Sequence, residues 1–242
     1  MYYIGLLLLF IIIVPYLIFH KNRKSNIEEL ESVQPVDDNR LRDIAMHLPS
    51  QIGYLNKERR LSYRSQIESI IRRITSFYSN FDARYEDYIE HSRELLNNRL
   101  QVQNSIQKLT DIKSDVYYLQ DSANYNRNAL DAAVSYFLPL CGYRINKNRI
   151  ISFITSYQFS KTMKYKEIYS FINITKIRLM EKLSQICADI DRNVSEYRHV
   201  YEFVSKLEEA PEDLPAYESE IKRVVGKMPY SYLVKLNIAL LQ

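Results

Sequence analysis

The residue types with the most chemical potential are three carboxylates, Glu86, Glu90 and Glu94, spaced four apart with His91 among them. On a helix that spacing puts the carboxylates on one face, and inside a bundle such a set could hold a metal. Di-iron bundles repeat a Glu-x-x-His pair on two helices, whereas this chain has a single Glu-x-x-His, at 196–199, and none within the 86–94 cluster. Arg84 and Arg93 offer ion-pair partners on the same helix, so the cluster reads as a solvated charged face and no metal is expected. Cys141 and Cys187 form no C-x-x-C and have no histidine at metal-ligand spacing. They read as two buried, reduced thiols, and His199 as structural.

Enzyme signatures are missing. There is no G-x-G-x-x-G, Walker A, G-x-S-x-G or H-E-x-x-H, and 4 glycines in 242 residues leave little material for a phosphate-cradling loop. No catalytic or cofactor-binding residue is assigned, and the chain is not expected to be an enzyme.

Binding chemistry is better represented. Between Asp131 and Glu167 there is no acidic residue, while Arg144, Lys147, Arg149, Lys161, Lys164 and Lys166 stand among Tyr136, Phe137, Tyr143, Phe153, Tyr157, Phe159 and Tyr165. The apolar runs Ala132–Tyr143 and Ile150–Phe159 flank a basic turn at residues 144–149. Three readings fit: a hairpin whose apolar flanks pack inward, a surface for anionic lipid or an acidic protein patch, and a platform for single-stranded nucleic acid. Lys21, Arg23 and Lys24 supply most of the formal net charge of +4, so the remainder is close to neutral. That argues against nucleic acid.

Lys21, Arg23 and Lys24 directly follow a run without charge from Tyr2 to Phe19. As a helix the run spans roughly 27 Å, close to the hydrocarbon thickness of a bilayer. No Lys or Arg precedes it and no small-residue cleavage site follows, so it reads as an uncleaved anchor rather than a signal peptide. The positive-inside rule then places the N-terminus outside and the bulk of the chain in the cytoplasm, with the three cations at the headgroups. The sequons at Asn173 and Asn193 would be unused.

The elements behind these residues read as helices. Gly53 and Pro139 bound a stretch with neither glycine nor proline, and a seven-residue repeat runs through it: Ile67, Ile74, Phe81, Tyr88, Leu95, Val102, Leu109, Val116, Ala123. Such a repeat suits a long helix burying one seam. The companion positions turn polar at Arg84, His91 and Asn98, so either the partner changes along the helix or the helix breaks near residues 92–99. A return helix from Ile168 carries Leu179, Ile186, Asn193, Val200 and Leu207 against Leu183, Ile190, Tyr197 and Val204. The stretch from Asn124-Tyr-Asn126 to Pro139 resembles the C-terminal Tyr-Asn…Phe-Pro stretch of LemA-type membrane-anchored helical proteins; that family's pattern after the anchor is missing, and nothing else is carried over.

The expected fold is therefore all-α, an N-terminal transmembrane helix followed by an elongated helical hairpin or bundle with coiled-coil character. The expected divisions are an anchor at 1–20 and a basic cluster, linker and short helix at 21–55. A long hairpin follows at 56–207, turning near 138–149, and then an acidic proline loop with short helices at 208–242. The expected role is a single-pass membrane protein acting as a scaffold or tether through protein–protein contacts, self-association included. The alternative is a membrane-acting effector that inserts or docks residues 132–166 on a second bilayer.

Overall fold

Asp37 opens the first helix by accepting hydrogen bonds from the backbone N–H groups of Asn39 (3.0 Å) and Arg40 (2.9 Å), satisfying donors that a helix start leaves orphaned. The structure is a computed structural model and describes residue 30 and residues 32–81 and 92–209. The expected anchor at 1–20, the cations Lys21, Arg23 and Lys24, the residues Arg84, Glu86, Glu90 and His91, and the tail beyond Glu209 lie outside those residues. Among the described residues no helix is long and apolar enough to cross a membrane.

The elements in order are α1 (Asp38–Ile52), β1 (Tyr54–Leu61), α2 (Arg64–Asn80), α3 (Ser92–Asn97), α4 (Arg99–Ile112), β2 (Tyr117–Ser122), α5 (Ala129–Leu140), α6 (Lys147–Tyr157) and α7 (Tyr165–Glu209). The protein is mostly helical, but it is not all-α: β1 and β2 pair as a two-stranded antiparallel sheet. Two compact units divide the chain, one of residues 26–79 and 97–187, the other holding the described residues 80–81, 92–96 and 188–209.

The seven-residue repeat does not build one helix. Ile67 and Ile74 are buried on α2 and Val102 and Leu109 on α4, but Val116 is exposed and Ala123 follows β2. The helical reading fails at 117–122 because burial there alternates: Tyr117 and Leu119 face in and Tyr118 faces out, the period of a half-buried strand. A turn at Asn98 separates α3 from α4, inside the interval where a break was one of the two expectations. The buried stripe of α7 runs through Ile177, Met180, Ser184, Cys187, Ile190 and Val194, while the expected Leu179, Leu183 and Ile186 are half-buried. Ser184 and Cys187 are small, and Ser184 is polar with its hydroxyl donating to the Glu181 carbonyl oxygen, so a seam chosen by hydrophobicity alone does not register them.

The larger unit has an aromatic centre. Phe137 of α5, Phe153 of α6 and Phe171 of α7 meet pairwise at 4.8–5.5 Å between ring centroids, and each is at most 1% exposed. Burying a side chain of that size is worth about 1.5–3 kcal/mol, with about 0.5–1.5 kcal/mol more for each favourable ring pair. Leu41, Ala45, Leu48 and Ile52 of α1 add an apolar stripe at helical spacing, and α1 packs on α5 and α6.

Candidate functional site

Capping side chains fix where the basic and aromatic residues fall. Asn146 accepts from the backbone N–H of Arg149 at 2.9 Å and starts α6. At the start of α7 the Glu167 carboxylate accepts from the backbone N–H of Lys164 at 2.7 Å, the reciprocal half of a capping box. Between them, residues 158–164 form a turn. Its Ser160 hydroxyl donates to the Met46 carbonyl oxygen of α1 at 2.6 Å.

The six expected basic residues separate into three groups. Arg144 and Lys147 are exposed at the start of α6. Arg149, one residue pair further on, turns inward with its side chain 14% exposed. Its guanidinium donates to the Val36 carbonyl oxygen and stands 3.4 Å from Asp38 Oδ1. With the Val36 N–H donating to Leu140 O at 3.0 Å, Arg149 straps residues 33–36 across the α5–α6 turn. Lys161, Lys164 and Lys166 gather at the other end of α6. Lys161 Nζ lies 4.6 Å over the Tyr54 ring, and Tyr54 shares a hydroxyl–hydroxyl hydrogen bond with Tyr157. Lys164 Nζ is 3.5 Å from Glu58 of β1, and Lys166 is exposed.

Those contacts place β1 beside the α6–α7 turn and bring in Lys57, Arg59 and Arg60, all exposed. Sequence reasoning missed them because the run Lys57-Glu-Arg-Arg60 was absorbed into the long helix. Arg59 pairs with Asp121 at 3.2 Å, and Arg60 stands opposite the exposed Tyr118 in the strand register.

The buried polar groups form a separate network. Arg178 of α7 donates to both carboxylate oxygens of Asp131 of α5, at 2.7 and 2.5 Å, and to Glu181 at 2.6 Å. Gln66 of α2 donates to the other Glu181 oxygen at 2.8 Å. Burial pulls the Arg178 pKa down, but the two carboxylates outweigh it and hold the guanidinium charged. Nearby, the Asn128 amide donates to the Tyr63 hydroxyl at 2.9 Å. Burial pushes Tyr63 from its ordinary value near 10 up to about 12, and Tyr54 likewise to about 12. These groups are spent on one another, so their chemistry is structural.

Cys141 and Cys187 are both buried and neither is in a disulfide, and burial pushes the Cys141 thiol up, opposed by Arg149. That is the opposite of an activated thiolate. Among the described residues no three His, Cys, Asp or Glu side chains gather as metal ligands would.

Comparison with protein-family models, curated proteins and solved structures finds no match.

Proposed function

We propose that this protein is a single-pass membrane protein whose elongated, mostly helical cytoplasmic part serves as a scaffold or tether in a membrane-associated assembly. The observation that carries the reading is the uncharged run Tyr2–Phe19 followed at once by Lys21, Arg23 and Lys24, the pattern of an anchor with cations at the headgroups. Two further observations support it. The buried polar side chains cross-link α2, α5 and α7, as in a part whose work is to hold shape. The exposed chemistry is cationic and aromatic and lies on the outer surface of β1 and the α6–α7 turn, which suits contact with a large partner.

Self-association or a protein partner gives such a tether its second point of attachment. Cross-linking the full chain in its own membranes tests this. Adducts of one or a few discrete masses, either multiples of the chain or the chain plus a fixed partner, are expected. A chain that stays monomeric at every cross-linker concentration contradicts the scaffold role.

A further inference from the structure

We infer that β1 and the α6–α7 turn together form a docking surface for an anionic lipid bilayer. This goes beyond the scaffold reading, because it requires neither the N-terminal anchor nor a protein partner.

Three observations converge on it. The turn is hydrogen-bonded in place: Phe159 and Ser160 donate backbone N–H bonds to Ser156 and Tyr157 carbonyl oxygens at 3.2 Å each, and the Ser160 hydroxyl ties the turn to α1. From this base large rings protrude. Phe159 is 75% exposed and Tyr165 84% exposed, and Tyr118 stands 62% exposed on the outer face of the sheet. Phe159 and Tyr165 bracket the same turn, and large exposed rings grouped in this way mark a contact surface. Cations frame them: Lys164 and Lys166 flank Tyr165 in sequence, and Arg60 pairs with Tyr118 across the strands.

The nearby carboxylates are occupied. Glu58 faces Lys164, and Glu167 accepts from the Lys164 backbone N–H. With Lys164 matched to Glu58 and Arg59 to Asp121, Lys57, Arg60, Lys161 and Lys166 stand against Glu167, which leaves the surface a cationic excess. Aromatic side chains suit the boundary between headgroups and acyl chains, and each added cation strengthens attraction to an anionic leaflet. An acidic protein segment would satisfy the cations but leave protruding rings with nothing to enter, so lipid accounts for both halves of the surface. The Arg144–Arg149 turn, the apparent choice from sequence, is not part of it: Arg149 is used internally and Lys147 begins the opposite end of α6.

The test sediments the full chain with vesicles of phosphatidylcholine alone or of phosphatidylcholine with phosphatidylserine. The chain is carried in neutral nanodiscs, or in buffer if it proves soluble without them; its need for nanodiscs reports on the anchor, while the ratio between the two vesicle types reports on this surface. Sedimentation with phosphatidylserine vesicles should exceed that with neutral ones by at least about tenfold in apparent affinity. The triple variant R60E/K164E/K166E should lose the difference, and F159S/Y165S, which keeps every charge, should lose at least about fivefold. R144E/K147E should stay within about twofold of the parent. Circular dichroism of each variant guards against misfolding. Equal sedimentation with both vesicle types overturns the proposal, as does full retention by F159S/Y165S. Tighter capture by poly-glutamate than by anionic vesicles assigns the surface to an acidic protein and overturns it equally.

Discussion

At the residue scale, one buried ion pair ties α5 to α7. Asp131 has a side chain 6% exposed and receives both arms of the Arg178 fork. Removing one partner of such a pair leaves an uncompensated buried charge and costs about 3–5 kcal/mol. Arg178→Met should therefore lower stability by that amount in urea unfolding, and adding Asp131→Leu should recover part of the loss. A loss below about 1 kcal/mol, the size of an exposed pair, would contradict the structural role. Tyr63 gives a second prediction. Its folded pKa is raised, so the neutral phenol is favoured by folding; the stability it contributes is complete below pH 10 and is lost as pH rises toward about 12. Tyr63→Phe leaves the Asn128 amide without its partner and should cost about 1–3 kcal/mol at neutral pH. The variant should then lose less stability than the parent between pH 10 and 12, measured by unfolding at each pH.

At the scale of elements, the sequence was informative where burial followed one period and silent where it did not. The apolar stripe of α1 behind its Asp37 cap and the burial of Ile67, Ile70, Ile74 and Phe77 on α2 follow from residue type and spacing, whereas the caps at Asn128 and Asn146 show only in the structure. The strand β2 was not legible: Tyr117, Tyr118 and Leu119 are all large and apolar or aromatic, so their in-and-out burial has no counterpart in residue type, while Val116 and Ala123 on either side continue the seven-residue repeat. The strand β1 was not legible either. Its residues from Leu55 to Arg60 are all exposed, so no burial period marks it, and pairing with β2 overrides a composition rich in helix formers. What ends α1 and directs the chain into β1 is Gly53, at φ +62°, where an added Cβ would stand 3.0 Å from the Ala123 Cβ. Gly53→Ala combines backbone strain with that clash and should cost about 1–3 kcal/mol, read as a lowered urea midpoint. An unchanged midpoint would mean the turn relaxes freely.

The candidate surface was half legible for the same reason. Lys161, Lys164 and Lys166 stood out because no acid interrupts their stretch. Arg60 and Tyr118 joined them only through strand pairing, a contact between residues far apart in the chain. Arg149 looked equivalent to its neighbours, and only the strap at residues 33–36 explains why it points inward.

At the scale of the whole molecule, the proposed role depends on attachment to a membrane. In the role proposed above, residues 2–19 would keep the helical part within reach of one bilayer, where local concentration favours even weak partners. The most direct test is alkaline carbonate extraction of membranes from cells expressing the full chain, with Leu8→Arg and Ile12→Arg introduced together as the comparison. Charges at the centre of a span are costly, so the parent chain should remain in the membrane pellet and the double variant should be released to the supernatant. Release of the parent chain itself, in the same fraction as the variant, would contradict the account.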